Sequence, residues 1–200
     1  MEKNRETTVQ RKTDGKLIGD YEKHGNRIPE VKTYDHTDND TYRFYGHEVA
    51  GTLKARNNIY PGIETPLALY DALSGIWCAD TCAPRIREEW SPENKTCGQC
   101  SITAFLAQDI FGGEVYGLTT KSGGIHCYNV VDGTIFDLTS EQFGEDAAAL
   151  VYFANPLQDR ESAYHFGKSE KRERYEYLKK ELGEKSSAMQ DNDKGVTGNL

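Results

Sequence analysis

The stretch from Gly124 to Leu138 reads GIHCYNVVDGTIFDL, two short runs rich in β-branched and aromatic residues on either side of Asp132-Gly133. An Asp-Gly pair in that setting is a strong hairpin signal, because the tightest hairpin turn needs positive φ at both central residues. With Asp132-Gly133 as a two-residue turn, Val131 faces Thr134, Tyr128 faces Asp137 and His126 faces Thr139. His126, Tyr128, Asp137 and Thr139 then share one face, with Asp137 the diagonal neighbour of His126. Diagonal Cβ atoms lie roughly 7 Å apart, a span that a carboxylate and an imidazole bridge. The pairing is conditional on register, since a slip of one residue sends the two side chains to opposite faces. Ile125, Cys127, Val131, Phe136 and Leu138 sort only in part onto the other face.

Upstream, EVYGLTT reads as a further strand, and SITAFLAQDI sets Ile102, Phe105, Leu106 and Ile110 at helical spacing before Gly112-Gly113 stops the run. Thr96, with Gln99 three residues later, predicts a capping box at the start of that helix. Cys100 then falls in the first turn, where free N–H groups and the positive end of the dipole favour a thiolate. A nucleophilic cysteine needs a base and an orienting partner, and the hairpin offers both: Cys100 as nucleophile, His126 as base, Asp137 as orienter. For the oxyanion, the Cys100 N–H is one expected donor and Asn94 the first choice for a second, with Gln99 and Trp90 also in reach. Tyr128 and Thr139 would border the catalytic face, while Asn129 and Gln142 are candidates to bind backbone or substrate; each is as readily structural. The plainer alternative makes Cys100 a buried helix residue, His126 a satisfied strand histidine and Asp137 a surface acid. Their joint order favours chemistry.

The same cysteines allow a competing reading. Cys78-x3-Cys82, fourteen residues, then Cys97-x2-Cys100 is close to the paired spacing of a structural zinc site. Four thiolate ligands would make Cys100 a closed structural residue and the domain a non-catalytic, zinc-stabilised or protein-binding module. Under the enzyme reading no metal and no cofactor are required.

The chain has 200 residues and a formal charge of −8. The imbalance lies in residues 61–160, which carry 5 basic and 14 acidic side chains and most of the apolar residues. Such a balance argues against nucleic acid and anionic membranes as partners and hints at a neutral or cationic substrate, such as a peptide, an amine or a small amide. The opening MEKNRETTVQRK has no apolar core and no long apolar run follows, so the expected address is the cytoplasm, with reduced thiols. Residues 1–60 read as an arm with short strand-like pieces, RIPEVKTY and TYRFYGHEVAG, in which His36 and His47 lack ligand spacing. Residues 61–185 form the domain, opened by a helix with Thr65 as N-cap and Pro66 at its first position. A closing amphipathic helix spans Glu170 to Leu182, before Gly183, and residues 186–200 read as a frayed tail.

The segments LSGIW, EEWSPENKTCGQC, ITAFLAQDIFGGE, GGIHCYNVVDGTIFDLTSEQF and RESAYHFGKSEKRERYEYLKKEL resemble the YunG-like family of small bacterial proteins over roughly Pro66 to Leu182. The family is in turn similar to the papain-like and transglutaminase-like cysteine superfamily. That resemblance implies an α+β fold in which a cysteine-bearing helix packs on a small antiparallel sheet. It implies the same triad, Cys100, His126 and Asp137, and thiol-dependent hydrolysis, deamidation or acyl transfer. Cys78, Cys82 and Cys97 depart from the family pattern.

Overall fold

A computed structural model describes residues 44–196. Helix α1 (His47–Ala50) and helix α2 (Pro66–Ser74) precede a 3₁₀ segment, Pro84–Glu89. Helix α3 (Cys100–Phe111) leads into strands β1 (Glu114–Thr119), β2 (Ile125–Val131) and β3 (Thr134–Phe136). A second 3₁₀ segment, Ser140–Ala149, and the long helix α4 (Ser169–Val196) complete a mixed α+β architecture.

The expected hairpin forms in the expected register. Val131 pairs with Thr134, Val130 with Ile135 and Asn129 with Phe136, around a turn in which Asp132 and Gly133 have φ of 49° and 79°. Strand β1 pairs antiparallel on the other side, Glu114 with Val130 through Thr119 with Ile125, so β2 is central. Helix α3 covers one face of the sheet, where Ile102, Phe105, Leu106 and Phe111 join Cys127, Val131 and Phe136 in the main core. Leu118, Tyr128, Val130, Ile135 and Tyr152 form a second cluster on the opposite face. Burial on both faces explains why β2 shows no clean alternation of apolar and polar residues.

Helix α2 begins as expected, with the Ala68 N–H donating to Thr65 Oγ1 at 3.2 Å. Three readings are corrected. The described part of TYRFYGHEVAG, from Phe44 onward, is not a strand: Tyr45 makes one bridge to Asp137 and residues 47–50 are helical. Phe44, Ala50, Leu53 and Tyr60 are buried in the main core, so residues 44–60 pack as part of the body. Gly183 does not end the last helix, which runs on through the expected tail to Val196; Ser186 Oγ donates to the Pro61 carbonyl at 2.6 Å, holding that part of the helix down. RIPEVKTY and His36 lie outside the described residues. Among the described residues no helix is long and apolar enough to cross a membrane.

Candidate active site

His126 and Asp137 meet across the open end of the hairpin. The ladder stops at Phe136, and Asp137 instead gives its N–H to the Tyr45 carbonyl at 3.0 Å. Its side chain turns to His126, with Nε2 2.5 Å from Oδ2 and both side chains 1% exposed. Tyr152 donates to the same oxygen at 2.8 Å, and Thr139 donates to Oδ1 through its N–H at 3.0 Å and its Oγ1 at 3.1 Å. Those four donors use the acceptor sites of a carboxylate in full. Tyr45 stacks on Tyr152 with centroids 4.0 Å apart, and its N–H donates to Ser140 Oγ at 2.8 Å. The first described residues therefore brace the orienting acid.

Cys100 is the first residue of α3, half-buried, and its sulfur interacts with both His126 and Cys127. With Nε2 engaged by Asp137, Nδ1 is the imidazole nitrogen that can serve the thiol, and the Gln142 amide nitrogen lies 3.3 Å from it. The Cys127 thiol, donating to the Cys100 sulfur, is the largest influence holding the Cys100 pKa well below the usual thiol value; burial opposes it, and the hydrogen bond and charge of His126 add to it. On His126 burial is the largest influence and disfavours its charge, yet Asp137 and Cys100 outweigh it and raise its pKa to about 10. The arrangement favours a thiolate–imidazolium pair. Cys127, in turn, is pushed well up by its bond to Cys100 and by burial, and Tyr152 stays a phenol donor because burial and then Asp137 raise it.

Gln142 ties the pieces together. Its Nε2 donates to the Thr139 carbonyl at 2.8 Å and lies 3.3 Å from His126 Nδ1, while its Oε1 accepts from the Gly98 N–H at 3.3 Å. Gly98 has φ 68°, and a Cβ there would sit 2.6 Å from Cys82 Sγ and 2.8 Å from the Ala83 nitrogen. Only glycine lets the cysteine loop approach that closely.

That left-handed residue also overturns the capping box. Helix α3 starts at Cys100 with Gln99 in the cap position and no side-chain cap bond. Gln99 is buried and donates through Nε2 to the Cys78 carbonyl at 3.1 Å, which engages one of its two amide hydrogens. Asn94 reaches the site through Gln142, donating from Nδ2 to its carbonyl at 3.4 Å. The Trp90 indole donates to the Lys95 carbonyl at 3.0 Å and so fixes its own loop. Tyr128 lies on the His126 face, with its hydroxyl accepting from Asn155 at 3.2 Å. Asn129 points the other way, donating to the Ala104 carbonyl at 2.8 Å and pinning β2 to α3. The Cys100 N–H has no backbone acceptor among the described residues, as expected of a first helical residue.

The four-cysteine zinc site does not form. Among the described residues no three or more His, Cys, Asp or Glu side chains are arranged to hold a metal ion. Cys82 and Cys97 interact with each other, and burial is the main influence pushing Cys82 up to about 12 and Cys97 upward, which keeps both as thiols. Cys100 has turned to His126 and Cys127 instead. His47 places Nδ1 3.1 Å from the Phe44 carbonyl and 3.6 Å from the Glu48 carboxylate.

Sequence reading missed Tyr152 and the role of Cys127. Tyr152 lies beyond an irregular stretch that gives no periodic signal, and strand alternation places Cys127 only on the apolar face. No solved structure matches the chain. The uncharacterized protein YunG of Bacillus subtilis (strain 168) is 37% identical over 76 residues, 38% of this chain and 62% of the relative, so the match spans less than two thirds of that protein. The profile of the family described as YunG protein matches residues 65–187, a span that contains Cys100, His126 and Asp137, and the chain belongs to that family.

Proposed function

We propose that the protein is a thiol-dependent enzyme of acyl chemistry on an amide or ester, with Cys100 as nucleophile, His126 as acid and base and Asp137 as the group that orients the imidazole. The reading is carried by one observation: a buried imidazole held 2.5 Å from a fully engaged carboxylate and interacting as well with the Cys100 sulfur. Attack of the thiolate on the carbonyl carbon would form the C–S bond and move the carbonyl electron pair onto oxygen. The Cys100 N–H, which has no backbone acceptor among the described residues, is a donor available to that oxyanion. Collapse would break the bond to the leaving group, which takes its proton from the imidazolium. Water then releases the acid, or an amine takes the acyl group, with neutral His126 accepting the proton of the attacking group.

The order of a cysteine opening a helix, then histidine and aspartate on the strand region that follows, supports placing the domain beside the papain-like and transglutaminase-like superfamily. Peptides, amines and small amides are the substrate classes that this chemistry accommodates. Incubation with short-chain p-nitrophenyl esters tests the proposal directly. The expected result is an acyl mass on the Cys100 peptide at early times, absent from Cys78 and lost in His126→Ala. Equal acylation of Cys78 and Cys100 in folded protein overturns it.

A further inference from the structure

A cavity of about 400 Å³ is lined in part by two neighbours of His126, Leu118 and Phe143. Leu118 lines it and is the cross-strand partner of His126, so the two side chains rise from the same face of the sheet at neighbouring positions. Phe143 forms another wall, and its ring meets the His126 ring edge to face, with centroids 4.8 Å apart. Phe143 is thus shared between the cavity lining and the surroundings of the imidazole.

The walls select what would enter. Leu150, Val151 and Ala149 add apolar surface. The two charged groups at the rim, Lys121 and Asp146, are joined at 2.5 Å and mostly exposed, so the cavity offers no unpaired charge. Thr119, Thr120 and Ser122 bring hydroxyls to the lining, those of Thr120 and Ser122 bonded to each other at 2.9 Å, and Asn155 brings a directed side-chain amide. Its amide hydrogens are held by the Tyr128 hydroxyl at 3.2 Å and the Val151 carbonyl at 2.7 Å, and its side-chain oxygen accepts no hydrogen bond among the described residues. The preceding residue, Ala154, holds a left-handed φ of 55°, a conformation that costs an L-residue roughly 1–2 kcal/mol and tends to persist where geometry at a site demands it.

We propose that this cavity is the specificity pocket of the Cys100 site, taking a neutral apolar side chain or acyl chain whose adjacent amide N–H is received by the Asn155 oxygen. The proposal rests on the reading of Cys100 as nucleophile and assigns that site its substrate class. Its size suits one bulky side chain or a short acyl chain; small-molecule pockets run from about 300 to 1,000 Å³.

Chloroacetamide and N-hexyl chloroacetamide provide the test, because each alkylates a thiolate with loss of chloride and only the second carries an apolar chain. Labelling of Cys100 is followed by peptide mass, and the ratio of the two rates is taken within each protein. The wild type should favour the hexyl probe by about tenfold or more, with saturation, because burying the chain is favourable. Ala149→Trp, at an exposed wall position, should bring the ratio close to that of free glutathione. Val151→Lys, at a residue 58% exposed, should do the same and guards against a folding defect in the first variant. A wild-type ratio equal to that of glutathione, or one that survives both substitutions, overturns the pocket. If both probes label Cys100 no faster than Cys78, the nucleophile itself fails and the pocket assignment falls with it.

Discussion

Replacing Asp137 by asparagine removes one charge and keeps the shape, which isolates what the carboxylate does for the thiol. The wild-type imidazole has a pKa of about 10, against an ordinary value of about 6.5, a difference worth roughly 5 kcal/mol at 1.36 kcal/mol per pKa unit. Burial, the largest influence on His126, acts against its charge and persists in the variant. Without the carboxylate, the imidazole should therefore be neutral at pH 7. The Cys100 thiolate then keeps its bond from Cys127 and loses its cation. Alkylation of Cys100 at pH 6 should slow by about ten- to a hundredfold, since only part of the coupling reaches the sulfur. The assay is the iodoacetamide rate at Cys100 across pH, read by peptide mass, with circular dichroism confirming the fold. Stability supplies an independent reading. A raised histidine pKa contributes stability that is complete below about 6.5 and is lost as pH rises through about 10. The difference in Tm between wild type and variant should accordingly be largest near neutrality or below and shrink as pH approaches 10. Tyr152→Phe, which removes a donor to the same carboxylate, should lower Tm while leaving Cys100 reactive. A folded Asp137→Asn protein with unchanged labelling would refute the coupling.

Three further outcomes are expected. Acyl transfer to or from Cys100 should decline above pH about 10, where the imidazolium that protonates the leaving group is lost; a rate still rising there would exclude His126 as the acid. Asn129→Ala should lower Tm by roughly 3–10 °C through loss of its buried bond to the Ala104 carbonyl, at about 1–3 kcal/mol for such a group, without altering the pH profile of Cys100 labelling. Prolonged EDTA treatment should leave the melting curve unchanged, because Cys78, Cys82, Cys97 and Cys100 do not converge; a chelator-dependent fall in Tm would restore the zinc reading.

The parts of this site that were legible in the sequence are those set by short-range geometry. Asp132-Gly133 dictates the turn, the turn dictates register, and register brings Asp137 to His126. Gly112 marks the end of α3 because its φ of 73° is outside the helix. The start of α3 was misread by a few residues for a nonlocal reason: Gly98 must be left-handed to let the loop pass Cys82 and Ala83, and that breaks any helical turn begun at Thr96. Gly183 looked like a stop, yet the helix carries it through beside Tyr60, whose ring carbon would lie 3.9 Å from an added Cβ. Tyr152 and Tyr45 were invisible as site residues, since both reach Asp137 through tertiary packing. Two-sided burial of β2 likewise comes from the cover supplied by residues 139–152, which strand periodicity does not register.

Helix α4 fastens itself to segments far back in the chain. Arg174 donates to the Thr81 carbonyl at 2.9 Å, Lys185 to that of Ala72 at 2.9 Å and Ser186 to that of Pro61 at 2.6 Å. Contacts so distant in sequence form late and slow folding, because the loop must close before they are gained. On the ribosome, the hairpin with His126 and Asp137 can therefore assemble while α2 and the cysteine loop still lack their clamp. Tyr175, Leu178 and Leu182 of α4 belong to the main core, so that core is complete only once α4 has emerged, and until then it offers apolar surface to chaperones.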